Sequence, residues 1–310
     1  MSNIYDGTYM WIWQADKIYG GDVQQMVTNA TSLGLKGVLI KFADGSLARD
    51  SASQSYMQQF KRLVGPFKAA GFTVGGWIYQ YLTDVAGEVD ACAQAIQAGA
   101  DWIVIDSESE INGKAAQVAQ FGQRLRARFP NVTVGLSSFA IADYHSEVPY
   151  QEYAKFVDVM MPQIYWGEMG WDVGVAFQAS VTSYKKIGKP IAPSGQAFGN
   201  VQPADMARFV QLCGNARFSH ISWWDWQEAS PSQLNAIKAN RMVPSDPQPA
   251  NHIARDVPDN AWYAKAVQYV LQNNLMSTNE SGNFNPDQPA TRAMLAQVLY
   301  NLSLKNGGGS

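Results

Sequence analysis

The regular alternation of strand-like and helix-like segments is the feature that most constrains the fold of this chain. Eight short apolar segments are rich in β-branched and aromatic residues, and all but the fifth are followed by a segment with helical spacing, within roughly the first 240 of the 310 residues. Eight such units in this length are typical of a (β/α)8 barrel, which usually takes about 250 residues. An open doubly wound sheet is the alternative, but it normally carries a glycine-rich turn after its first strand, and QADK at 14–17 has no glycine. We therefore predict an α/β fold, a (β/α)8 TIM barrel.

The predicted strands are Thr8–Gln14, Gly37–Phe42, Thr73–Tyr79, Trp102–Ile105, Val132–Ser137, Val157–Tyr165, Pro190–Ser194 and Ser219–Trp224. The predicted helices are Asp22–Leu33, Ser53–Ala70, Asp84–Ala98, Ala115–Phe129, Trp171–Ile187, Pro203–Cys213 and Pro231–Ala239. The two cysteines, Cys92 and Cys213, both lie in helix-like segments that are far apart in the sequence. We expect both to be buried free thiols.

The stretch DWIVIDSESE, residues 101–110, carries the strongest signal for chemistry. Side chains alternate along a strand, so Asp106 and Glu108 are expected on the same face. Barrel sites lie at the C-terminal ends of the strands. Two crowded carboxylates suit acid–base work, because their like charges push their pKa values apart. The alternative is a strand that ends in a solvated acidic loop.

Polar or aromatic residues also end most of the other predicted strands. We expect these to bind substrate around the two carboxylates: Lys41, Asp44, Tyr79, Gln163, Tyr165, Trp224, Asp225 and Trp226. Trp224 or Trp226 is expected to form a floor on which a sugar ring stacks, and a shift of one residue in the last strand exchanges them. Core packing fits each tryptophan equally well, and a structural ion pair fits Lys41 and Asp44.

Composition and charge exclude several kinds of partner. A net charge of −3 gives no basic surface for nucleic acid, and no apolar run is long enough to span a membrane. The first residues, MSNIYDGTYM, lack a basic region followed by an apolar one, so we expect no signal peptide. No pattern indicates a metal or a cofactor, and we expect neither.

The composition changes after the predicted barrel, residues 1–242. Residues 243–254 are polar and rich in proline and predict a linker. Residues 255–303 predict a small all-helical domain with helices Asn260–Asn273 and Arg292–Leu302, the second capped by Thr291. Residues 304–310 are expected to form a flexible tail.

This small domain resembles an S-layer homology (SLH) motif through DVP at 256–258, WYAKAV at 262–267, NFNP at 283–286 and TRA at 291–293. The resemblance implies binding to an anionic, often pyruvylated, secondary cell-wall polymer of Gram-positive bacteria. It places Asp256, Trp262 and Arg292 at ligand-binding positions, and an arginine fork suits a ketal carboxylate. The family usually has glutamate after the Thr-Arg-Ala triplet, where this chain has Met294.

SLH motifs commonly work in threes, and one copy is visible in this sequence. The resemblance therefore implies self-association, most naturally as a cyclic homotrimer. The alternative is a divergent motif that folds as a monomer.

The barrel resembles the glycoside hydrolases that cut N-acetylated cell-wall sugars, namely the family 25 lysozymes and the family 18 chitinase-like enzymes. The matching pieces are LIKFADG at 39–45, DSE at 106–108 and MPQIY at 161–165. The lysozyme pattern has an aspartate within the first strand, where this chain has Asp16 beyond it. The family 18 signature has an earlier aspartate where this chain has Val104.

This second resemblance implies that Glu108 is the general acid, with a pKa raised by burial and by Asp106. Asp106 would orient the acetamido group of the substrate, which can act as the nucleophile, and Tyr165 would hydrogen-bond to it. Direct action of two protein carboxylates is the other route.

Three functions follow from these resemblances. The first is a muramidase-type endolysin that cuts the glycan strands of peptidoglycan and is held at the wall by its SLH domain. Without a signal peptide, such an enzyme fits a phage lysin that is made in the cytoplasm and acts at the wall after release. The second is a non-catalytic, carbohydrate-binding surface-layer protein, against which the intact carboxylate pair argues. The third is a chitinase-like polysaccharide hydrolase.

Overall fold

The structure, a computed structural model, describes residues 3–242, 254–258, 261–273, 275–279 and 282–306. These residues fall into two compact units, one within 3–242 and one within 254–306. The predicted linker lies outside the described residues except for Ala254, and so does the end of the predicted tail, residues 307–310.

Eight parallel strands form a closed barrel, in which each strand pairs with the next and the last pairs with the first. The predicted α/β barrel is therefore confirmed. The strands are β1 (Gly7–Ile12), β2 (Gly37–Asp44), β3 (Thr73–Tyr79), β4 (Trp102–Asp106), β5 (Thr133–Phe139), β6 (Val159–Ile164), β7 (Ser194–Gln196) and β8 (His220–Trp224).

Helices lie around this barrel, and two more belong to the second unit. Those of the barrel unit are α1 (Val23–Leu33), α2 (Ser51–Ala69), α3 (Val85–Ala98), α4 (Ala115–Arg128), α5 (Tyr150–Ala154), α6 (Trp166–Met169), α7 (Val173–Lys185), α8 (Pro203–Asn215) and α9 (Pro231–Ala239). Those of the second unit are α10 (Ala264–Gln272) and α11 (Arg292–Asn306).

Local sequence signals fix where many of these helices begin and end. Asp22, Asp50 and Asp84 each accept a hydrogen bond from a backbone N–H in the first turn of the helix that follows. Gly34 ends α1 and Gly99 ends α3, both with positive φ, a conformation that glycine adopts without steric cost. The helix boundaries could therefore be predicted closely from the sequence.

The strand β7 differs most from its prediction, since it covers Ser194–Gln196 and not Pro190–Ser194. Pro190 and Pro193 have no backbone N–H to donate to a ladder. Within the predicted segment, Ile191 makes only an isolated bridge to Met160. Regular pairing begins where the prolines end.

Two apolar layers hold the barrel unit together. The inner layer fills the barrel with large side chains, among them Tyr9, Trp11, Leu39, Trp77, Trp102 and Met161. The outer layer lies between the strands and the helices and includes Ile40, Phe60, Ile103, Phe121 and Phe209. Cys92 and Cys213 are buried and free, as predicted. Because the interior is packed with side chains, the open end at the strand C-termini is where a site can form.

The second unit has its own small apolar core, formed by Ala254, Val257, Ala264 and Val267. Thr291 caps α11 by accepting a hydrogen bond from the backbone N–H of Met294 at 3.2 Å, as predicted. This helix extends to Asn306, four residues beyond its predicted end at Leu302. Leucine and lysine at 304 and 305 are good helix formers, so the helix continues into the segment predicted as tail.

A pair of glycine substitutions measures how tightly the barrel interior is packed. A Cβ at Gly75 in β3 would lie 2.5 Å from Leu39 and 2.8 Å from Trp102, whereas a Cβ at Gly65 in α2 would meet nothing within 4 Å. Gly75→Ala should lower the free energy of unfolding by ~1–3 kcal/mol, and Gly65→Ala should raise it by ~0.5–1 kcal/mol. Urea unfolding followed by tryptophan fluorescence compares the two, and equal effects would contradict the close packing.

Candidate active site

Asp106 and Glu108 are brought to one point at the C-terminal mouth of the barrel. Asp106 is the last residue of β4, and Gln163 lies on β6. The Gln163 side-chain nitrogen donates to Asp106 Oδ1 at 2.8 Å and to Glu108 Oε1 at 3.2 Å. These two oxygens are therefore at most about 6 Å apart, the sum of the two bond lengths. The predicted common face of the two carboxylates is observed.

Burial sets the protonation of this pair. Asp106 is 4% exposed and Glu108 is half-buried. Burial raises the pKa of Asp106 well above its usual range, and the neighbouring charge of Glu108 raises it further, while Lys41, Ser137 and Gln163 oppose the rise. Burial also raises the pKa of Glu108, against the hydrogen bond from Gln163. A closely spaced pair of this kind shares one proton over a range of pH.

Tyr165 follows β6 directly and faces the same carboxylates. Burial raises the pKa of Tyr165, and the charges of Asp106, Glu108 and Asp225 raise it further. The phenol therefore keeps its proton and is available as a neutral hydrogen-bond donor at the site.

Tryptophan rings form a wall of the site. Trp224 lies with its ring centre 5.5 Å from that of Trp11, 5.4 Å from Trp77 and 6.3 Å from Trp13, to which it is nearly parallel. Trp224 is partly exposed and belongs to the inner layer. A partly exposed ring beside buried ones can offer its face to a sugar ring.

The end of β8 decides between the two tryptophans proposed for the floor. Trp226 is 3% exposed, packs edge-on against Tyr19 and belongs to the outer layer between strands and helices. Trp224, and not Trp226, therefore faces the barrel interior. Alternation would place both rings on one face, so a shift of one residue does not exchange them; they differ because β8 ends at Trp224 and the chain turns before Trp226.

Asp225 lies next to this wall, at the end of β8. It is fully buried, and its Oδ1 accepts from the backbone N–H of Glu228 at 3.2 Å. Its Oδ2 has no hydrogen-bond partner among the described residues. Burial raises the pKa of Asp225 to about 7, with a further rise from Glu228. It is thus a second carboxyl that can hold a proton near neutral pH.

Lys41, Asp44 and Tyr79 occupy the neighbouring side of the mouth, on β2 and β3. Lys41 Nζ lies 3.4 Å from Asp44 Oδ1, and Arg49 reaches the other carboxylate oxygen at 3.1 Å. The Tyr79 hydroxyl donates to Glu110 at 2.6 Å. The predicted Lys41–Asp44 ion pair is thus present, and all three residues are already held by protein partners.

A buried polar layer lies behind the carboxylates. Ser107 points away from them and hydrogen-bonds to Gln80 at 3.0 Å and to Tyr153 at 2.8 Å. Glu88, in the first turn of α3, is fully buried and accepts from the backbone N–H groups of Tyr81 and Leu82 at 3.2 and 2.7 Å. This layer fixes the backbone of the DSE segment and of the loop after β3.

Several residues at the site were not singled out from the sequence. Strand alternation carries a signal for Trp13, because it follows the inward-facing Trp11 by two residues, and for Trp77, which precedes Tyr79 in the same way. Tyr56 lies on α2, so strand alternation could not predict its position. Its hydroxyl accepts a hydrogen bond from the Trp13 indole N–H at 2.9 Å. Only the packing of α2 on the barrel brings it there.

The predicted wall-binding residues of the second unit differ in their availability. Trp262 is 94% exposed, and Arg292 is exposed at the start of α11. Asp256 instead uses both carboxylate oxygens to accept from the backbone N–H groups of Phe284 and Asn285, each at 2.7 Å. Asp256 therefore holds the turn that precedes α11, whereas Trp262 and Arg292 are free to meet a ligand.

Within the described part of the chain, no group of three or more histidine, cysteine, aspartate or glutamate side chains is arranged to hold a metal ion. In the same part of the chain, no helix combines the length and the apolar character that crossing a membrane requires.

The buried Glu88 predicts a dependence of stability on pH. Its pKa is raised to about 7 by burial, against about 4.3 in an unfolded chain. The folded chain then holds a proton that the unfolded chain has lost, so this contribution is complete below about pH 4.3 and disappears as the pH rises through 7. From pH 5 to 8, the difference in free energy of unfolding between wild type and Glu88→Gln should change by on the order of 2–3 kcal/mol in favour of the variant.

Urea unfolding at several pH values measures this difference. The exposed Glu147→Gln is the matched control and should show none. A difference for Glu88→Gln that is constant with pH would show that Glu88 does not titrate in this range.

Comparisons with known proteins agree with this division of the chain. Residues 255–294 match the family model of the S-layer homology domain. A search of curated protein sequences found no match. The barrel is similar to the spore cortex-lytic enzyme SleL of Bacillus cereus, with 11% identity, a TM-score of 0.55, and coverage of 76% of this chain and 74% of that one.

Two chitinases are also similar in structure. Active domain 2 of the Pyrococcus furiosus chitinase has 12% identity, a TM-score of 0.60, and coverage of 76% of this chain and 96% of that one. A class V chitinase of Pseudomonas fluorescens has 12% identity, a TM-score of 0.53, and coverage of 76% and 99%. At these identities the likeness establishes the barrel fold, and the S-layer homology domain is the one family assignment that the sequence supports.

Proposed function

We propose that the barrel hydrolyses a glycosidic bond in an N-acetylated cell-wall glycan. The observation that carries this proposal is the Asp106–Glu108 pair, joined by Gln163 at the barrel mouth, into which the partly exposed Trp224 at the end of β8 also faces. Two carboxyls flanking one cavity are what glycoside hydrolysis requires. The likeness in fold to a cortex-lytic enzyme and to chitinases supports the same class of substrate.

Glu108 acts as the general acid in this proposal. It must hold a proton to donate to the leaving glycosidic oxygen, and burial raises its pKa in the direction that favours the protonated form. Glu108 is also the more exposed carboxyl of the pair, so it can reach a substrate. Asp106, beneath it, serves as the ionised partner.

The short separation of the pair favours retention of configuration. Inverting enzymes keep their carboxyls roughly 6.5–9.5 Å apart to leave room for a water molecule, and the two bridged oxygens here are closer than that range. Asp106 is 4% exposed and already hydrogen-bonded, so it is poorly placed to attack the sugar itself. We therefore assign the nucleophile to the acetamido oxygen of the substrate, with Asp106 and Tyr165 orienting that group and Trp224 stacking on the sugar.

Replacement of the acid tests this mechanism. Glu108→Gln keeps the shape of the side chain but has no carboxyl proton to donate, so hydrolysis should fall by ~100-fold or more. The melting temperature should barely change. Glu147→Gln, an exposed substitution of the same kind, is the control and should keep full activity. Turnover of the Glu108 variant at the wild-type rate would refute the assignment.

The finer proposal is a muramidase-type endolysin that cuts the glycan strands of peptidoglycan and reaches the wall after release from the cytoplasm. The SLH segment supports a wall substrate, since its binding to a wall polymer would hold the barrel at the wall. A chitinase-like hydrolase is the second candidate, supported by the similar fold of the chitinases. Mass spectrometry of products from purified peptidoglycan and from chitin oligosaccharides distinguishes them by the sugar at the new reducing end.

We also propose that the second unit binds a secondary cell-wall polymer. An aromatic ring that is 94% exposed and an exposed arginine suit a sugar bearing a carboxylate. A chain ending at Met242 should therefore keep its hydrolysis of soluble fragments but sediment less with whole cell walls. The Arg292→Gln variant of the full chain should sediment with whole cell walls more than the shortened chain and less than the wild-type full chain. Equal wall binding by the shortened chain would exclude the second unit as the anchor.

A final proposal concerns self-association through α11. Its large apolar side chains are mostly in solvent: Met294 is 54% exposed, Leu295 58%, Leu299 56% and Tyr300 59%. Several large apolar side chains exposed together on one helix commonly mark an interface. We propose that further copies of this helix cover it, most simply in a cyclic trimer.

Light scattering tests the association. The full chain should have about three times the monomer mass at micromolar concentration, because buried apolar surface favours assembly. Leu295→Glu together with Leu299→Glu should give a monomer, and the chain ending at Met242 should be monomeric as well. A full chain that remains a monomer would exclude the trimer.

A further inference from the structure

Lys41 is a buried cation inside the barrel to which the proposed mechanism assigns no task. Its side chain is 6% exposed. Its ammonium lies over four aromatic rings, at 4.5 Å from the ring centre of Tyr56, 4.7 Å from Trp77, and 5.7 Å from both Trp13 and Tyr79. The electron-rich faces of such rings attract a cation. These rings offset part of the cost of burying the charge, although burial still lowers the pKa of Lys41.

This charge is only partly neutralised by Asp44. The Lys41–Asp44 contact is 3.4 Å long, while Asp44 is also reached by Arg49 at 3.1 Å. A buried ammonium is costly unless it is paired. A second carboxylate close to Lys41 would therefore be stabilised in its ionised form by the ammonium, and it would stabilise the charged form of Lys41.

Strand register places that second carboxylate. Lys41 pairs in register with Trp77 on β3, and Tyr79 on the same strand pairs with Asp106 on β4. Trp77 and Tyr79 are both cation–π partners of Lys41, so its ammonium lies along the inner surface of β3 that leads to Asp106. Burial raises the pKa of Asp106, and the charge of Lys41 partly offsets that rise; burial lowers the pKa of Lys41, and the charges of Asp44 and Asp106 partly offset that fall.

The proposed mechanism requires the proton of the pair to be on Glu108. Burial alone would put it on Asp106, which is 4% exposed, whereas Glu108 is only half-buried. Gln163 donates to both carboxylates and so discriminates little between them. Some further group must favour the ionised form of Asp106 over that of Glu108.

We propose that Lys41 is the positioning residue that offsets the burial of Asp106 and so shifts the shared proton toward Glu108. The catalytic consequence rests on the proposed function, but the charge assignment itself can be tested without turnover. The charged and titratable groups that face Lys41 are Asp44 on β2, Arg49 in the loop after it, Tyr56 on α2, Tyr79 on β3 and Asp106 on β4. Arg49 is about one-third exposed and is shared between Asp44 and Asp50, so its charge is more strongly screened.

The direct test is a carbon-13 NMR titration of side-chain carboxyls in the full chain. Asp106→Asn and Glu108→Gln assign the two signals. In Lys41→Met, the titration midpoint of Asp106 should rise by about one pH unit or more. The midpoint of Glu108 should fall, because a neutral Asp106 no longer repels the negative charge of the Glu108 carboxylate. Lys41→Arg keeps the charge and should restore the wild-type order of the midpoints, while Arg49→Met, the matched control, should leave the order unchanged.

The dependence of kcat/KM on pH tests the catalytic consequence. Activity falls at low pH when Asp106 takes up its proton, so the acidic limb should move to higher pH in Lys41→Met by about the same one unit. If Lys41→Met does not fold, Lys41→Gln replaces it in both measurements. A uniform loss of activity with unchanged midpoints would show that Lys41 only packs the interior and would overturn the proposal. If wild type hydrolyses none of the glycans tested, the proposed function fails, and the NMR midpoints still decide the role of Lys41.

Discussion

The pairing of β8 with β1 is the constraint on which the rest of the barrel unit depends. It closes the sheet, so every backbone group of the strands has a neighbour and all eight C-terminal ends lie around one opening. Asp106, Gln163 and Trp224 come from β4, β6 and β8, which are distant in sequence. Asp106 and Gln163 meet across β5, and closure brings Trp224 on β8 next to Trp11 on β1. An open sheet with the same strands would leave the first and last strands at opposite edges.

Closure also creates an interior that large side chains must fill. Trp11, Trp77 and Trp102 are almost fully buried there, and glycines at positions such as 75 make room for them. A tightly filled, apolar interior has few groups that can stabilise a charge, so every ionisable side chain in it needs a specific partner. Lys41 finds aromatic faces and Asp44, and Asp106 finds Gln163 and Ser137. The same packing that stabilises the barrel raises the pKa of its carboxyls.

The two units of the chain differ in how much apolar surface they bury. The barrel unit buries an extensive core, whereas the second unit has five buried apolar residues among those described and leaves most of the apolar side chains of α11 in solvent. A core of this size stabilises a domain only weakly. A partner surface for α11 would add the missing burial, which is why self-association and wall anchoring are proposed for the same segment.

The sequence by itself determined the fold class, most helix boundaries and the common face of Asp106 and Glu108, because periodicity, capping residues and strand alternation are local properties. It did not determine whether Trp224 or Trp226 faces inward, since β8 ends at Trp224 and strand alternation does not extend to Trp226. Nor did it reveal the start of β7, the cage of Tyr56 and Trp77 around Lys41, or the bridge from Gln163 to both carboxylates. Those depend on which strands and helices meet in space, and only the closed tertiary structure decides that.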